Sequence, residues 1–259
     1  MEFEWSDVLD IFIYVYTVLV GLVIGSFLNV LIYRIPLKLS SVKGTSFCPK
    51  CKHKLVWIDL FPVFSYIFLL GKCRYCKAGI SPRYPVIELL NALCYYLVYS
   101  LFGLTPAAFI YAIICSCLIV LAMIDYDHKI IPDRFNIIIG VGALILGFIT
   151  KDVTWLERII GFFAVSLPLL IIALITGGIG EGDVKLIAVC GLLLGWKSIL
   201  LTMLFASVFA AVFGISLMAK NKAKGKTQIP FGPFIAFSVI ICMLYGEKII
   251  NLYISFLMQ

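Results

Sequence analysis

Charged residues are scarce in this chain of 259 residues, and their scarcity excludes a water-soluble domain. Only 14% of the residues are charged, whereas 63% are hydrophobic and the mean hydropathy is +1.09. A soluble domain of this size does not carry so large an apolar fraction, because it has no bilayer to face. The sequence therefore predicts an all-α polytopic membrane protein.

Histidine is also scarce, which removes several kinds of enzyme site. His53 and His128 are its two occurrences, and neither stands in a convincing constellation with a serine or cysteine nucleophile. A nucleophile of that kind needs an adjacent base to be effective. The chain also lacks a recognisable glycine-rich methyltransferase fold. Any acid–base chemistry is therefore expected from carboxylates.

Basic residues outnumber acidic ones, and their distribution indicates topology. The net charge is +7, and ten of the 21 basic residues lie between Arg34 and Arg83, with Asp59 as the one acid among them. This bias predicts a cytoplasmic loop under the positive-inside rule, and it does not indicate nucleic-acid binding. Residues 1–10 carry four acids and no base, which argues against a cleaved signal peptide and places the N-terminus outside.

Apolar runs predict about eight transmembrane helices. A second basic loop, at Lys220, Lys222, Lys224 and Lys226, is then cytoplasmic like the first, and a short outer loop contains Lys151, Asp152, Glu157 and Arg158. The predicted spans are 8–32, 85–103, 107–124, 135–150, 159–176, 184–196, 199–218 and a last one that starts near residue 230.

Four of the nine cysteines form two CxxC pairs in the first basic loop. Cys48 and Cys51 precede Cys73 and Cys76 by a spacing close to that of four-cysteine zinc sites, in which each pair presents two thiolates to one ion. Iron, two disulfides or idle thiols are the alternatives, and a cytoplasmic location disfavours disulfides. The other five cysteines lie in apolar runs and are expected to be small buried hydrophobes: Cys94, Cys115, Cys117, Cys190 and Cys242.

Two further features of this region leave alternatives open. The apolar stretch 60–70 between the cysteine pairs is too short to span a bilayer, so it is expected to be a packed or interfacial segment. Glu88 stands one turn inside the second span. It is either an acid favoured near a helix N-terminus or a functional group at the cytoplasmic face.

Two carboxylates at the ends of apolar runs are the candidate catalytic residues. Asp183 closes the glycine-rich turn Gly177–Asp183, which lets another segment approach closely, and Asp125 ends the third span. A carboxylate at the edge of a bilayer is expensive and usually functional. Two aspartates brought together there would share one proton, as in aspartic proteases.

The acids of these two segments are also compatible with simpler roles. Asp133 follows Pro132 before a new apolar run, so helix capping would explain it. Asp127 could orient the loop or pair with Lys129 or Lys185. The whole set could consist of interfacial caps and ion pairs, or of an ion-coupled transporter's binding site. Iron in the four-cysteine site would instead indicate an electron-transfer protein.

The motifs together resemble the type IV prepilin peptidases, which belong to the GxGD intramembrane aspartyl proteases. The resemblance covers nearly the whole chain. Its supporting residues, beyond the cysteines, are Gly25-Ser26-Phe27-Leu28-Asn29-Val30 with Arg34 and Pro36; Trp57, Asp59 and Pro62; Tyr84-Pro85 with Glu88; Asp125, Pro132 and Asp133; Gly180-Glu181-Gly182-Asp183 with Lys185; and Pro230-Phe231-Gly232-Pro233-Phe234.

This resemblance implies a function and a division of the chain. Such enzymes cut a basic leader from prepilins or pseudopilins after a glycine, at the cytoplasmic face of the bacterial inner membrane. They then methylate the new N-terminal residue with S-adenosylmethionine. By resemblance, residues 1–33 are the first transmembrane helix, 34–84 a cytoplasmic zinc-binding loop domain, and 85–259 the peptidase core. The methyl-donor site is expected near Arg34, Asn29 or Glu88.

Overall fold

The computed structural model describes residues 5–40, 44–219 and 229–257, and these residues form helices joined by short links. Lys43 and the basic loop at residues 220–226 lie outside the described residues, as does Glu4 in the acidic N-terminal stretch. The α-helices are α1 (Trp5–Arg34), α2 (Phe64–Phe68), α3 (Arg83–Phe102), α4 (Pro106–His128), α5 (Asp133–Ile149), α6 (Trp155–Ala164), α7 (Ser166–Thr176), α8 (Glu181–Ala219) and α9 (Gly232–Leu257).

The predicted all-α membrane fold is confirmed, and the predicted number of eight spans is approximate. Among the described residues, six helical stretches are long and apolar enough to cross a bilayer. The predicted fourth span is α5, which at 17 residues is shorter than these. The predicted sixth and seventh spans both lie in α8, which consists of two helical segments separated at Gly195, whose φ of 75° and ψ of 171° are not helical.

The chain forms two compact units, Met1–Ala108 and Phe109–Gln259. In the first unit α1 packs closely on α3, because glycines on α1 leave no side chain between the two backbones. A β-carbon on Gly25 would lie 2.7 Å from the Cα atom of Glu88. The Asn91 amide donates to the carbonyl oxygen of Gly21 at 2.7 Å, which joins the two helices inside an apolar environment.

In the second unit α8 packs against α5, α6, α7 and α9, so this helix is central to that unit. Gly161 of α6 and Gly191 of α8 bring their backbones together where any side chain would collide. The prediction of an outer loop at Arg158 was wrong. Arg158 lies in α6, is 2% exposed, and donates to the carbonyl oxygens of Leu192 and Leu193 beside the interruption of α8.

Candidate active site and metal centre

The sequence suggested that Asp125 follows the end of a helix, but the structure places it inside one. Helix α4 continues past the apolar run to His128, so Asp125 stands in its last turns and is 6% exposed. Its Oδ2 atom accepts a hydrogen bond of 3.0 Å from the backbone amide of Gly232. A carboxylate buried at a helix end thus receives a donor from the start of α9, more than one hundred residues away.

Asp183 stands in the first turn of α8. Gly177 ends α7 in the left-handed conformation, with a φ of 62°, and the chain then turns through Gly180 into α8. Asp183 is half-buried, and its backbone amide donates to the Gly180 carbonyl oxygen at 3.1 Å. The turn therefore sets the position of the carboxylate at a helix N-terminus, where negative charge is favourable.

The two carboxyl groups act on each other. Asp183 has an electrostatic interaction with Asp125, although 57 residues separate them in sequence. Within the described part of the chain, Asp183 Oδ1 is buried and has no hydrogen-bond partner. A buried carboxylate oxygen without a partner is costly, and such atoms mark sites that hold a ligand, an ion or a water. The structure thus brings together the two residues that the sequence selected.

Neighbouring acids are placed differently. Asp127 and Asp133 are both exposed. Lys185 forms an ion pair with Asp133, at 3.2 Å from its Oδ1 atom. Asp133 is the first residue of α5 and Pro132 occupies the capping position, so the expectation of an Asp133 cap was wrong. A proline cannot offer a capping side chain.

The remaining motif residues act through packing. A β-carbon on Gly182 would lie 2.9 Å from the Cβ atom of Ile131, so the glycine lets α8 approach the link before α5. Pro132 and Pro230 are half-buried. Pro132 stands directly before α5, and Pro230 lies near the start of α9. A β-carbon on Gly180 would lie 3.2 Å from Asp183 Oδ2. These residues shape the surroundings of the two aspartates.

Gly232→Ala should lower catalysis by the aspartate pair by about 10²-fold without unfolding the protein, because small displacements of reacting groups cost about that much. The new β-carbon would lie 2.7 Å from Asp125 Oδ2, so the carboxylate must move. Initial rates on a prepilin peptide, the substrate that the resemblance implies, and the thermal midpoint measure the two effects. Gly140→Ala is the matched control, since its β-carbon would make an ordinary contact of 3.5 Å with Val189. Equal rates for the two variants would contradict the assignment.

The four predicted cysteines form one cluster. The Sγ atoms of Cys48, Cys51, Cys73 and Cys76 all lie within 4.8 Å of one another. Cys48 and Cys76 are 3.9 Å apart at sulfur. A tetrahedral zinc ion with Zn–S bonds of ~2.3 Å needs sulfurs about 3.8 Å apart, so the cluster fits a metal of this kind.

The polypeptide around the cluster favours a thiolate at Cys48 but not at Cys51. A hydrogen bond from the Cys51 backbone amide, opposed by burial, lowers the pKa of the Cys48 thiol to about 7. A hydrogen bond from the His53 amide lowers the pKa of the Cys51 thiol, but burial and the Cys48 and Cys76 thiols outweigh it and raise that pKa to about 11. Two short turns present the sulfurs, each closed by an isolated bridge, Phe47 with Lys54 and Lys72 with Gly79. Thiolates, not thiols, bind metals. The coarse prediction, a site able to bind a metal, is confirmed.

Asp59, the one acid of the basic loop, ties the cluster to the apolar stretch. Its carboxylate accepts from Arg74 Nε at 2.6 Å, from the Tyr75 hydroxyl at 3.1 Å and from the Val56 amide at 3.3 Å. Burial raises the pKa of Asp59, but these hydrogen bonds outweigh it, so the pKa is lowered overall. The side chain joins the turn at 57–60 to the second cysteine pair.

Glu88, Asn29 and Arg34, where the methyl donor was expected, have internal partners. Glu88 is 7% exposed and accepts from the Val63 amide at 2.7 Å. The Asn29 amide donates to the Tyr84 carbonyl oxygen at 3.2 Å, and Arg34 donates to the carbonyl oxygens of Gly44 and Thr45. These contacts show which internal groups the three side chains bond, and the bond to Val63 accounts for Glu88 better than a helix-terminus preference does. The location of the methyl-donor site stays a prediction.

These features define a class: a polytopic helical membrane protein with a paired-aspartate site and a four-cysteine metal cluster. Comparison with known families gives matches over most of the chain. Residues 19–102 match the Bacterial Peptidase A24 N-terminal domain, and residues 112–215 match the Type IV leader peptidase family. The chain belongs to the type IV leader peptidase family.

Relatives align over almost the whole chain. The Prepilin leader peptidase/N-methyltransferase of Bacillus subtilis (strain 168) is 35% identical over 91% of this chain and 95% of its own length. The protein of the same name from Stutzerimonas stutzeri is 33% identical over 91% and 92%. That of Pseudomonas aeruginosa is 32% identical over 93% of each. No solved structure matches the chain. The transport alternative gains no support from these relatives.

Proposed function

We propose that this protein is a membrane-embedded aspartic endopeptidase that cleaves the basic leader from type IV prepilins or pseudopilins after a glycine. This proposal rests on the electrostatic interaction between Asp125 and Asp183, together with the Oδ1 atom of Asp183, which has no hydrogen-bond partner among the described residues. The names of relatives that span over nine-tenths of the chain support the substrate class.

The two aspartates divide the chemistry of peptide hydrolysis. Two carboxyl groups that repel each other favour one shared proton, so one carboxylate is ionised and the other protonated. The ionised group takes a proton from water, which attacks the scissile carbonyl carbon. The protonated group donates a hydrogen bond to the carbonyl oxygen and then supplies the proton that the leaving amine needs. The Gly232 amide holds Asp125 in place.

The second activity is methylation of the new N-terminus. S-adenosylmethionine supplies the methyl group, which the free amine of the cleaved pilin accepts. The relatives' names support this activity. The division of the chain into a first helix (1–33), a metal-binding loop domain (34–84) and a peptidase core (85–259) belongs to the same proposal.

The metal is zinc and its role is structural. Four thiolates leave no open coordination position, which is the arrangement of structural zinc sites, whereas catalytic ones keep a position for water. The excess of basic residues in the loop supports a cytoplasmic location for this site, with the N-terminus outside and the aspartate pair facing the cytoplasm of the bacterial inner membrane. A leader peptide that stays inside would then meet the pair while the pilin's apolar helix lies in the bilayer.

Incubating the purified protein with a full-length prepilin and labelled S-adenosylmethionine tests both activities separately. We expect a mass loss equal to the leader and label on the shortened pilin alone. The matched control substrate replaces the glycine before the cleavage point. Cleavage without label would contradict the proposed methyltransferase activity, and label without cleavage would contradict the proposed peptidase activity.

A further inference from the structure

Apolar side chains are exposed along the segment between the two cysteine pairs, residues 57–70, which we name the apolar strip. Trp57, Phe68 and Leu70 are 76%, 82% and 83% exposed. Further members share this exposure: Ile58, Leu60, Phe61, Phe64 and Ile67. The sequence left open whether this stretch is packed or interfacial, and the exposure excludes a packed core. A contiguous apolar surface of this kind marks a binding or membrane surface.

The strip lies beside the membrane-spanning part of α1. An apolar cavity of about 380 Å³ is lined by Leu19, Val23 and Phe27 of α1 and by Trp57, Phe61 and Phe64 of the strip. These α1 residues belong to the stretch Val8–Arg34, which is long and apolar enough to cross a bilayer. The strip residues that line the cavity therefore lie beside membrane-spanning residues of α1.

Many backbone amides in the second half of the strip meet the condition that a lipid environment imposes. Polar backbone groups in contact with lipid must be bonded within the protein. The amides of Ser65, Ile67, Leu69, Leu70 and Gly71 donate to carbonyl oxygens of residues 61–67. Val63, whose φ is 61°, directly precedes α2, and its amide donates to the buried Glu88 carboxylate. Glu88 thus bonds a backbone donor at the start of α2.

The rest of the basic loop is rich in exposed positive charge. Exposed lysines flank the strip on both sides in sequence: Lys50, Lys52 and Lys54 before it, and Lys72 and Lys77 after it. Asp59, the one acid between residues 34 and 83, is paired with Arg74. Lysines next to a membrane surface are attracted by anionic headgroups, each adding to the affinity. An exposed apolar segment with cations before and after it in sequence fits the interface of an anionic leaflet.

We propose that the apolar strip is an interfacial anchor for an anionic phospholipid leaflet, in which acyl chains fill the groove along α1 and the flanking lysines contact headgroup phosphates. The anchor holds the four-cysteine cluster at the membrane surface, because Asp59 links the strip to the second cysteine pair. This lipid interaction goes beyond the peptidase function and does not depend on it.

The test uses the full-length protein in nanodiscs of phosphatidylcholine with or without phosphatidylglycerol, in which lipids are brominated at defined chain positions. The fluorescence of Trp57 is obtained as the difference between the protein and its Trp57→Phe variant, which cancels the other tryptophans. We expect bromines near the headgroup to quench Trp57 strongly. Quenching should fall several-fold in the Phe68→Ser/Leu70→Ser variant and should fall when phosphatidylglycerol is omitted.

Two controls keep the outcome clear. Phe68→Leu/Leu70→Ile preserves the apolar surface and should quench like the parent, and zinc content shows that each variant retains its loop. The depth profile of the unsubstituted protein tests the proposal even if the serine variant does not fold. Trp57 open to acrylamide and insensitive to brominated lipid would overturn the proposal. Protection of Trp57 by a prepilin peptide, without lipid quenching, would overturn it in favour of a substrate surface.

Discussion

Asp125→Asn and Asp183→Asn should each abolish detectable leader cleavage, a loss of about 10²–10⁴-fold for acid–base participation alone. An amide keeps the shape of a carboxylate but cannot exchange the shared proton. Asp125→Asn also keeps an oxygen that can accept from the Gly232 amide, so the fold around α9 should persist. Initial rates on a purified prepilin, with circular dichroism and the thermal midpoint, separate catalysis from folding.

The matched controls are Asp127→Asn and Asp133→Asn. Both side chains are exposed, and Asp133 is paired with Lys185, so both variants should retain much of the activity. The Asp125→Asn/Asp183→Asn double variant should be little worse than either single one, because residues that act as a unit are not additive. Robust cleavage by either single variant would refute the pair. A comparable loss in Asp127→Asn would transfer the role to Asp127.

Replacing any one of Cys48, Cys51, Cys73 or Cys76 by serine should remove most of the bound zinc and unfold the metal loop. A structural zinc site contributes folding free energy through all four ligands, on the order of 10 kcal/mol for isolated zinc peptides at neutral pH. Metal content by mass spectrometry and protease resistance of residues 44–82 measure the two effects. Cleavage should fall less than in the aspartate variants, because the metal takes no part in the chemistry.

Cys94→Ser is the matched control for the zinc experiment. Cys94 lies in α3 of the same compact unit, is 8% exposed and is not part of the cluster. Its variant should keep the full zinc content. A chelator should reproduce the effect of the four loop variants, and added zinc should reverse it. Unchanged zinc in all four variants would exclude the site, and iron in place of zinc would correct the choice of metal.

The sequence was informative about structural properties that depend on residues close together in the chain. Long apolar runs determine that helices cross a bilayer, because backbone groups in lipid must be bonded within one segment. Two CxxC pairs determine a four-thiol cluster, because each turn presents two sulfurs by itself. Asp125 and Asp183 were selected by their positions at the edges of apolar runs. The structure confirms the fold class and brings the two aspartates together, while their catalytic role stays a prediction.

Tertiary structure decided what depends on distant partners. No local pattern indicates that the Gly232 amide holds Asp125, although the resemblance had marked that glycine. Arg158 was placed in a loop because charge favours water, yet three-dimensional packing provides buried carbonyl oxygens for it. Sequence alone could not choose between roles for Glu88, since its partner, the amide of Val63, lies on another segment. Composition and periodicity determined the environment of each helix, whereas hydrogen-bond partners came from the packing between helices.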